Sequence, residues 1–211
     1  VCLDGDADRL IMVDDQANIL DGDQLIGIMA KYAIDQGEIK KGDEVVGTLM
    51  SNLGLEKYIE SLGLKFYRAK VGDRYILERM RESGGILGGE PSGHLIWRNL
   101  SETGDGTAAA LRIMEACQYY GKKLSQLTGE FKLYPQTNKS IKVSKKPELN
   151  SIPEIKKAIE SAQEKLLKKG RVLVRYSGTE PKCRVMVEGE NENLVQEVAA
   201  QLTQVITDHL K

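Results

Sequence analysis

Val45-Val46-Gly47-Thr48, a helical stretch from Leu55 to Leu62 stopped by Gly63, and then Lys65-Phe66-Tyr67-Arg68 form the stretch that decides the fold. Two short strand-like runs are joined by a segment long enough to cross over, so the runs can pair in parallel. The same alternation extends in both directions. Upstream, Leu10 to Val13 predicts a strand, and Leu25, Ile26, Ile28, Met29, Tyr32 and Ala33 share one face of a helix that Gly37 ends. Downstream, Tyr75 to Arg81 predicts a helix ending at Gly84-Gly85. Ile86-Leu87 and Leu95-Ile96-Trp97 read as strands, and a helix runs from about Gly106 to Tyr120 with Gly121 as its stop. The expected fold class is α/β, a mainly parallel sheet with helices on both faces.

The pattern changes near Tyr134-Pro135. Ile141 to Val143, Val172 to Arg175 and Cys183 to Glu188 read as strands, the last two joined by a short loop and therefore antiparallel. Ser151 is expected to cap a helix with Pro153 in its first turn and Glu154 closing a capping box. Ile155, Ile159, Ala162 and Leu166 form its buried stripe, and Leu194, Val198, Leu202 and Ile206 mark a closing helix. The last 75 or so residues thus form a small α+β C-terminal domain. At the other end, Val1-Cys2-Leu3 reads as the tail of a buried strand, which predicts that an N-terminal portion is missing.

Lys plus Arg number 30 against 31 Asp plus Glu, so no net field draws in nucleic acid or an anionic membrane. No apolar run approaches the length of a membrane span. Cys2, Cys117 and Cys183 are odd in number and widely spaced, which argues against a disulfide framework or a zinc site and points to the reducing cytoplasm. The oligomeric state is open, a homodimer included.

Two loops carry the chemistry. In Asp4-Gly5-Asp6-Ala7-Asp8-Arg9 three carboxylates alternate, so a gently turning backbone can converge them on one hard cation, for which Mg²⁺ is the fit. Arg9 can reach the same phosphate as a charge-assisted donor. An acidic surface turn is the plainer alternative. An EF-hand fails, because Arg9 occupies the position that needs glycine and only three residues precede the loop. In Arg175-Tyr176-Ser177-Gly178-Thr179-Glu180-Pro181, turn amides and the hydroxyls of Ser177 and Thr179 can form a phosphate nest flanked by Arg175 and Arg184; a plain hairpin turn is the alternative. In Gly89-Glu90-Pro91-Ser92-Gly93-His94, Glu90 and Ser92 can bind sugar hydroxyls, and His94 can move a proton, contact phosphate or be structural. Lys70-Val71-Gly72-Asp73-Arg74-Tyr75 sits at a strand-to-helix turn where Lys70 and Arg74 favour an anion, while Asp73 reads equally as the helix N-cap. Asp105 reads as a cap, and His209 as facing solvent.

These loops, in this order and spacing, resemble the metal, sugar and phosphate loops of the α-D-phosphohexomutases. The Val71-Gly72-Asp73-Arg74-Tyr75 turn is most similar to the phosphoglucosamine mutase branch. The resemblance covers the whole chain but only the C-terminal half of such an enzyme. It implies that residues 1–20 end domain 2, 21–134 form domain 3 and 135–211 form domain 4. It implies an isomerase of amino-sugar and cell-wall precursor metabolism, interconverting glucosamine 6-phosphate and glucosamine 1-phosphate through a phosphoserine and a 1,6-bisphosphate. By the same resemblance Asp4, Asp6 and Asp8 hold Mg²⁺, Arg9 and His94 are catalytic, and Glu90, Ser92, Lys70, Asp73 and Arg74 hold the sugar. Arg175, Ser177, Gly178, Thr179 and Arg184 grip the phosphate that is not reacting. Ala7 stands where this branch more usually has glycine, and Pro91 where a polar residue is common. No serine lies in the family's Ser-His-Asn-Pro setting, so the nucleophile belongs to the missing N-terminal half and the chain alone is expected to be inactive. The alternatives are a phosphomannomutase or phosphoglucomutase of the same family, and a non-catalytic phosphosugar-binding module.

Overall fold

Three short strands open the chain: β1 (Cys2–Leu3), β2 (Leu10–Val13) and β3 (Ile19–Leu20), paired antiparallel in that order. The computed structural model describes residues 1–167 and 169–211, in two units, Val1–Leu133 and Tyr134–Lys211. The strand at Val1-Cys2-Leu3 is not buried as expected. Among the described residues β1 pairs with β2 alone, and both of its residues are exposed.

Helix α1 (Gly22–Asp35) follows, capped by Asp21, whose side chain accepts the Gln24 N–H while Gln24 reaches back to close a capping box. Then come β4 (Glu44–Thr48), α2 (Leu53–Ser61), β5 (Lys65–Ala69), α3 (Asp73–Ser83), β6 (Leu87–Gly89), β7 (Leu95–Trp97), α4 (Gly106–Tyr120) and the short α5 (Leu124–Thr128). The sheet runs β5-β4-β6-β7, with β4 parallel to both β5 and β6, and β7 returning antiparallel to β6. It is mainly parallel, as the alternation of elements predicts.

Consecutive strand residues split between two cores, because side chains alternate across a sheet. Val45, Leu87, Leu95 and Trp97 join the core that holds α1, α2 and α4. Val46, Ala69 and Ile96 join the smaller core under α3, with Ile76 and Met80. Burying a side chain of this size contributes about 1.5–3 kcal/mol, so α3 is held largely by these two residues. Arg68 closes the end of β4 by donating to the carbonyls of Thr48 and Ser51 and pairing with Glu56 (2.6 Å).

The second unit has β8 (Gln136–Lys142), a 3₁₀ turn (Leu149–Ser151), α6 (Pro153–Lys165), β9 (Gly170–Tyr176), β10 (Lys182–Gly189) and α7 (Glu192–Leu210). Its sheet is antiparallel, in the order β8-β10-β9. Cys183, Val185 and Val187 of β10 join the core beneath α6 and α7 with Ile141, Val172, Val174 and Tyr176. On the other face, like charges lie directly opposite one another: Arg184 against Arg175, and Lys182 against Lys142.

The expected cap at Ser151 is not formed. Its hydroxyl donates to the Glu148 carbonyl inside the 3₁₀ turn, and the N-cap of α6 is Ile152. Capping at Ser151 would put Ile152 in the helix immediately before Pro153, where the helical region is disfavoured. Ile152 is extended instead (φ −102°, ψ 106°), and Pro153 takes the first helical position.

Candidate active site

The acidic loop turns tightly. The Ala7 N–H donates to the Asp4 carbonyl (3.2 Å), and Ala7 itself has φ 59°. A left-handed backbone here favours glycine, and alanine occupies it at some cost in strain. The turn brings carboxylate oxygens of Asp4, Asp6 and Asp8 within 4.8 Å of one another. Three hard oxygen donors at that spacing suit a divalent cation that fills its remaining shell with water or phosphate oxygen. The Arg9 N–H donates to Asp4 Oδ1 (3.2 Å), and its guanidinium lies 3.9 Å from Asp4 and 3.8 Å from Asp8, half exposed.

The Glu90-to-His94 loop joins β6 to β7 and is pinned to the acidic loop from several directions. Arg9 and His94 form an isolated antiparallel bridge, and the Leu10 N–H donates to the Gly93 carbonyl (2.9 Å). Gly93 has φ 92°, and a Cβ there would lie 2.2 Å from the Leu10 carbonyl oxygen, so no other residue allows this approach. His94 is buried, with Nδ1 3.1 Å from Asp8 Oδ2. Asp8 can only accept, so Nδ1 carries the proton. Gly104 makes room for the ring, since a Cβ there would lie 2.4 Å from His94 Cε1. The same segment starts α4, where the Asp105 side chain accepts the Ala108 N–H, as a cap should.

Ser92 Oγ donates to Glu90 Oε2 (3.2 Å), and Glu90 Oε1 accepts the Gly72 N–H (2.9 Å). This second bond ties the Glu90-to-His94 loop to the turn that starts α3. The N-cap of α3 is Gly72, not Asp73: its positive-φ backbone (φ 128°, ψ 134°) is non-helical and open to glycine, whereas Asp73 is already helical. Asp73 occupies the first helical position and accepts the Arg74 N–H (2.7 Å). Lys70 and Arg74 lie over the Tyr75 ring at 5.6 and 5.4 Å, and Arg74 pairs with Glu78 (3.0 Å).

The hairpin of Ser177 to Glu180 joins β9 to β10. The Ser177 N–H donates to the Lys182 carbonyl (2.8 Å), and the buried Ser177 Oγ accepts the Glu180 N–H (3.3 Å). Gly178 and Thr179 are exposed at the tip, and no hydrogen bond uses their amides among the described residues. Those amides are open to an anion. Arg175 makes no ion pair among the described residues, whereas Arg184 is 3.1 Å from Glu180, which also pairs with Lys182. These two cations hold the Glu180 carboxyl below its usual range, Lys182 contributing most.

The structure thus gathers Asp4, Asp6, Asp8, Arg9, Glu90, Ser92, His94 and the Gly72–Arg74 turn through direct contacts. It gathers Arg175, Ser177, Gly178, Thr179 and Arg184 on one hairpin. Three contributors escape a sequence reading. Lys146 Nζ donates to the Ser177 carbonyl (2.7 Å) and buttresses the hairpin from 31 positions away. Glu180 lies inside the motif, and its spacing to Lys182 and Arg184 is the signal that could have flagged it. Asp23 is buried beside the N-terminus of α2, where its Oδ2 accepts the Asn52 N–H (2.6 Å). Burial pushes its carboxyl up to about 8 in spite of that bond. His209 is exposed, its Nδ1 2.9 Å from the Val205 carbonyl. The three cysteines are free, and no helix among the described residues is long and apolar enough to cross a membrane.

Similar proteins place this geometry. The chain is 44% identical over 211 residues to a phosphoglucosamine mutase of Nitratidesulfovibrio vulgaris, covering 100% of this chain and 47% of that relative. It is 47% identical over 202 residues to a phosphoglucosamine mutase of Methylococcus capsulatus, covering 96% and 45% respectively. The chain therefore spans about half the length of the curated relatives it matches. Its fold is similar to that of Aspergillus fumigatus N-acetylphosphoglucosamine mutase, solved in complex with GlcNAc-6P and magnesium, with a TM-score of 0.82 and 23% identity over 99% of this chain and 48% of that one. The model of phosphoglucomutase/phosphomannomutase alpha/beta/alpha domain III matches residues 21–134, and that of the C-terminal domain matches residues 139–205. With both matches in chain order and together spanning most of its length, the chain belongs to the phosphoglucomutase/phosphomannomutase family.

Proposed function

We propose that this chain is the C-terminal part of a phosphoglucosamine mutase that interconverts glucosamine 6-phosphate and glucosamine 1-phosphate. In this reading residues 1–20 complete a second domain, 21–134 are the third and 135–211 the fourth. A phosphoserine on the portion of the relatives that this chain does not span donates its phosphoryl group. The resulting 1,6-bisphosphate then returns the other group to the serine. Asp4, Asp6 and Asp8 are the residues that would hold Mg²⁺, which supplies charge neutralisation at the transferring group when bound. Arg9 contacts that phosphoryl group, and His94 keeps Asp8 oriented through its Nδ1–H. Glu90 and Ser92 hold sugar hydroxyls beside the Lys70-to-Arg74 turn. Arg175, Arg184 and the Ser177-to-Thr179 amides hold the distal phosphate, turning remote binding energy into alignment. Three unpaired cysteines are in keeping with a reducing, cytoplasmic setting.

The observation that carries this reading is the contact between Asp8 and His94 (3.1 Å), which sets a carboxylate cluster directly against the sugar loop. The test is a titration of the chain with glucosamine 6-phosphate and Mg²⁺, alongside a turnover assay. Metal-dependent binding without turnover is expected, because the phosphoryl carrier is not among these residues. Sustained turnover by the chain alone would place a nucleophile within it. Binding that ignores Mg²⁺ would favour a non-catalytic phosphosugar module, and a preference for mannose or glucose phosphates would favour the sister mutases.

A further inference from the structure

The segments 49–52, 70–72 and 90–93 follow the parallel strands β4, β5 and β6. They lie at the carboxyl edge of the sheet, where open α/β sheets receive ligands. Two of them converge on the first turn of α1. The Gly22 N–H donates to the Pro91 carbonyl (3.0 Å), and a Cβ on Gly22 would lie 1.9 Å from the Glu90 carbonyl oxygen. The helix therefore bears directly on the backbone that carries Glu90. The next residue, Asp23, is 1% exposed, and its Oδ2 accepts the Asn52 N–H (2.6 Å). One helical turn thus joins the segment after β6 to the segment after β4.

Nothing in this tie requires a charge. Asp23 Oδ1 is buried without a hydrogen-bond partner among the described residues. Ionised, it is a charged acceptor with no donor, which is costly out of water. A proton there removes the charge and leaves the Asn52 bond intact. The surrounding groups supply little compensation. Asp21 adds a second carboxylate, and Arg68, the cation that acts on Asp23, is matched by Glu56 at 2.6 Å and donates to the Thr48 and Ser51 carbonyls. Glu90, on the loop packed against α1, brings a third carboxylate, engaged by Gly72 and Ser92. Burial pushes the Asp23 carboxyl up to about 8, helped by Asp21 and opposed by Asn52, Ser51 and Arg68.

We propose that Asp23 is a positioning residue for the Glu90-to-His94 loop: it fixes the first turn of α1 on the Asn52 amide, and that turn fixes the backbone of Glu90. Asp23 acts through Gly22 and Asn52 rather than on the substrate itself. The neutral carboxyl makes the tie, and ionisation loosens it. The assignment rests on the phosphosugar reading above. It adds a residue outside the three loop motifs and a sensitivity of sugar binding to alkaline pH.

The experiment measures the affinity of the whole chain for glucosamine 6-phosphate with Mg²⁺, by calorimetry at pH 7 and pH 9, for the parent, Asp23→Asn and Asp23→Ala. Ratios between parent and variant at one pH cancel the titration of the probe and of the metal site. Asn keeps an acceptor for the Asn52 amide and cannot ionise, so this variant is expected to bind as the parent does at pH 7. At pH 9 only about one parent molecule in ten keeps a neutral Asp23. Affinity scales with that competent fraction, so the parent is expected to fall roughly tenfold behind the Asn variant. Asp23→Ala lacks the acceptor and is expected to bind roughly tenfold more weakly than the parent at pH 7, in constant ratio to the Asn variant at both pH values. A merely structural cap would change melting temperatures and leave the parent-to-Asn affinity ratio equal at pH 7 and pH 9, which overturns the proposal. Parent-like affinity of the Ala variant at pH 7 overturns it too, and in both cases the phosphosugar reading stands. If the Ala variant does not fold, the parent-to-Asn ratio decides alone. If the parent does not bind glucosamine 6-phosphate at pH 7, both fall.

Discussion

The acidic loop and the Glu90-to-His94 loop of the first unit and the β9–β10 hairpin of the second are built on opposite plans. The first is assembled from separate stretches of chain: Asp4 to Arg9, Gly72 to Arg74, Glu90 to His94, and Gly104 to Asp105. Direct contacts between distant residues bind these stretches together, such as Asp8 with His94 and Gly72 with Glu90. The second is almost wholly one hairpin, with Lys146 as its outside support. A site made of crossing loops transmits a local change to every member, because each loop is a boundary condition for the next. A hairpin confines the change to itself.

The largest effect expected from breaking this contrast comes from Gly93→Ala. Its φ of 92° and the Leu10 carbonyl 2.2 Å from a Cβ leave no room for relaxation. A loss of about 2–3 kcal/mol in stability is expected, with faster amide exchange through residues 1–133 and unchanged exchange in residues 134–211. Accelerated exchange in both units would show that the two plans are not independent.

Next comes the pH response of the first unit. The Asp23 carboxyl ordinarily titrates at 3.8 and is raised to about 8 in the folded chain. The folded state therefore prefers the protonated form. Stability is fully present below pH 3.8, is lost as pH rises from there towards about 8, and then levels off. Asp23→Asn should flatten this slope and raise the melting temperature near neutral pH relative to the parent. Melts at pH 5 and pH 8 check it, and an unchanged slope in the variant would assign the response to another group.

Asp8→Asn should weaken Mg²⁺ binding by at least roughly 10–100-fold, the range for disturbing only the hydrogen bonds around a metal ligand. It removes a full ligand charge and alters the contact with His94 together. Arg175→Ala is the smallest and most confined change. It should weaken inorganic phosphate binding about tenfold while leaving Mg²⁺ affinity as it was. Altered metal affinity in that variant would mean that the hairpin and the acidic loop communicate.

The same contrast explains what a sequence can disclose. Val45-Val46 and Gly121 are legible because strand alternation and a helix stop are local properties. The β9–β10 hairpin is legible for the same reason, since two strands joined by a short loop must pair antiparallel. The partnership of His94 with Asp8 spans 86 positions and leaves no periodicity or spacing to read. Asp23 looks like an ordinary acid in a helix start, and only burial by α2 makes it unusual. Ser151 misleads because Ser-Ile-Pro-Glu satisfies the capping pattern, while the backbone restriction that Pro153 places on Ile152 overrides it. Asp73 gives way to Gly72 because the positive φ at Gly72 (128°) ends the helix one residue earlier, and a backbone angle leaves no mark on the acidic residue that follows it.

The facing cations of the second sheet carry one more consequence. With Arg184 opposite Arg175 and Lys182 opposite Lys142, the native hairpin is charged against itself, and Glu180 offsets only part of that repulsion. Any anion that settles there stabilises the folded form by mass action. Buffer composition is then a thermodynamic variable: in phosphate the second unit should melt higher than in chloride of equal ionic strength, and the increment reads the anion's affinity without any enzymatic assay.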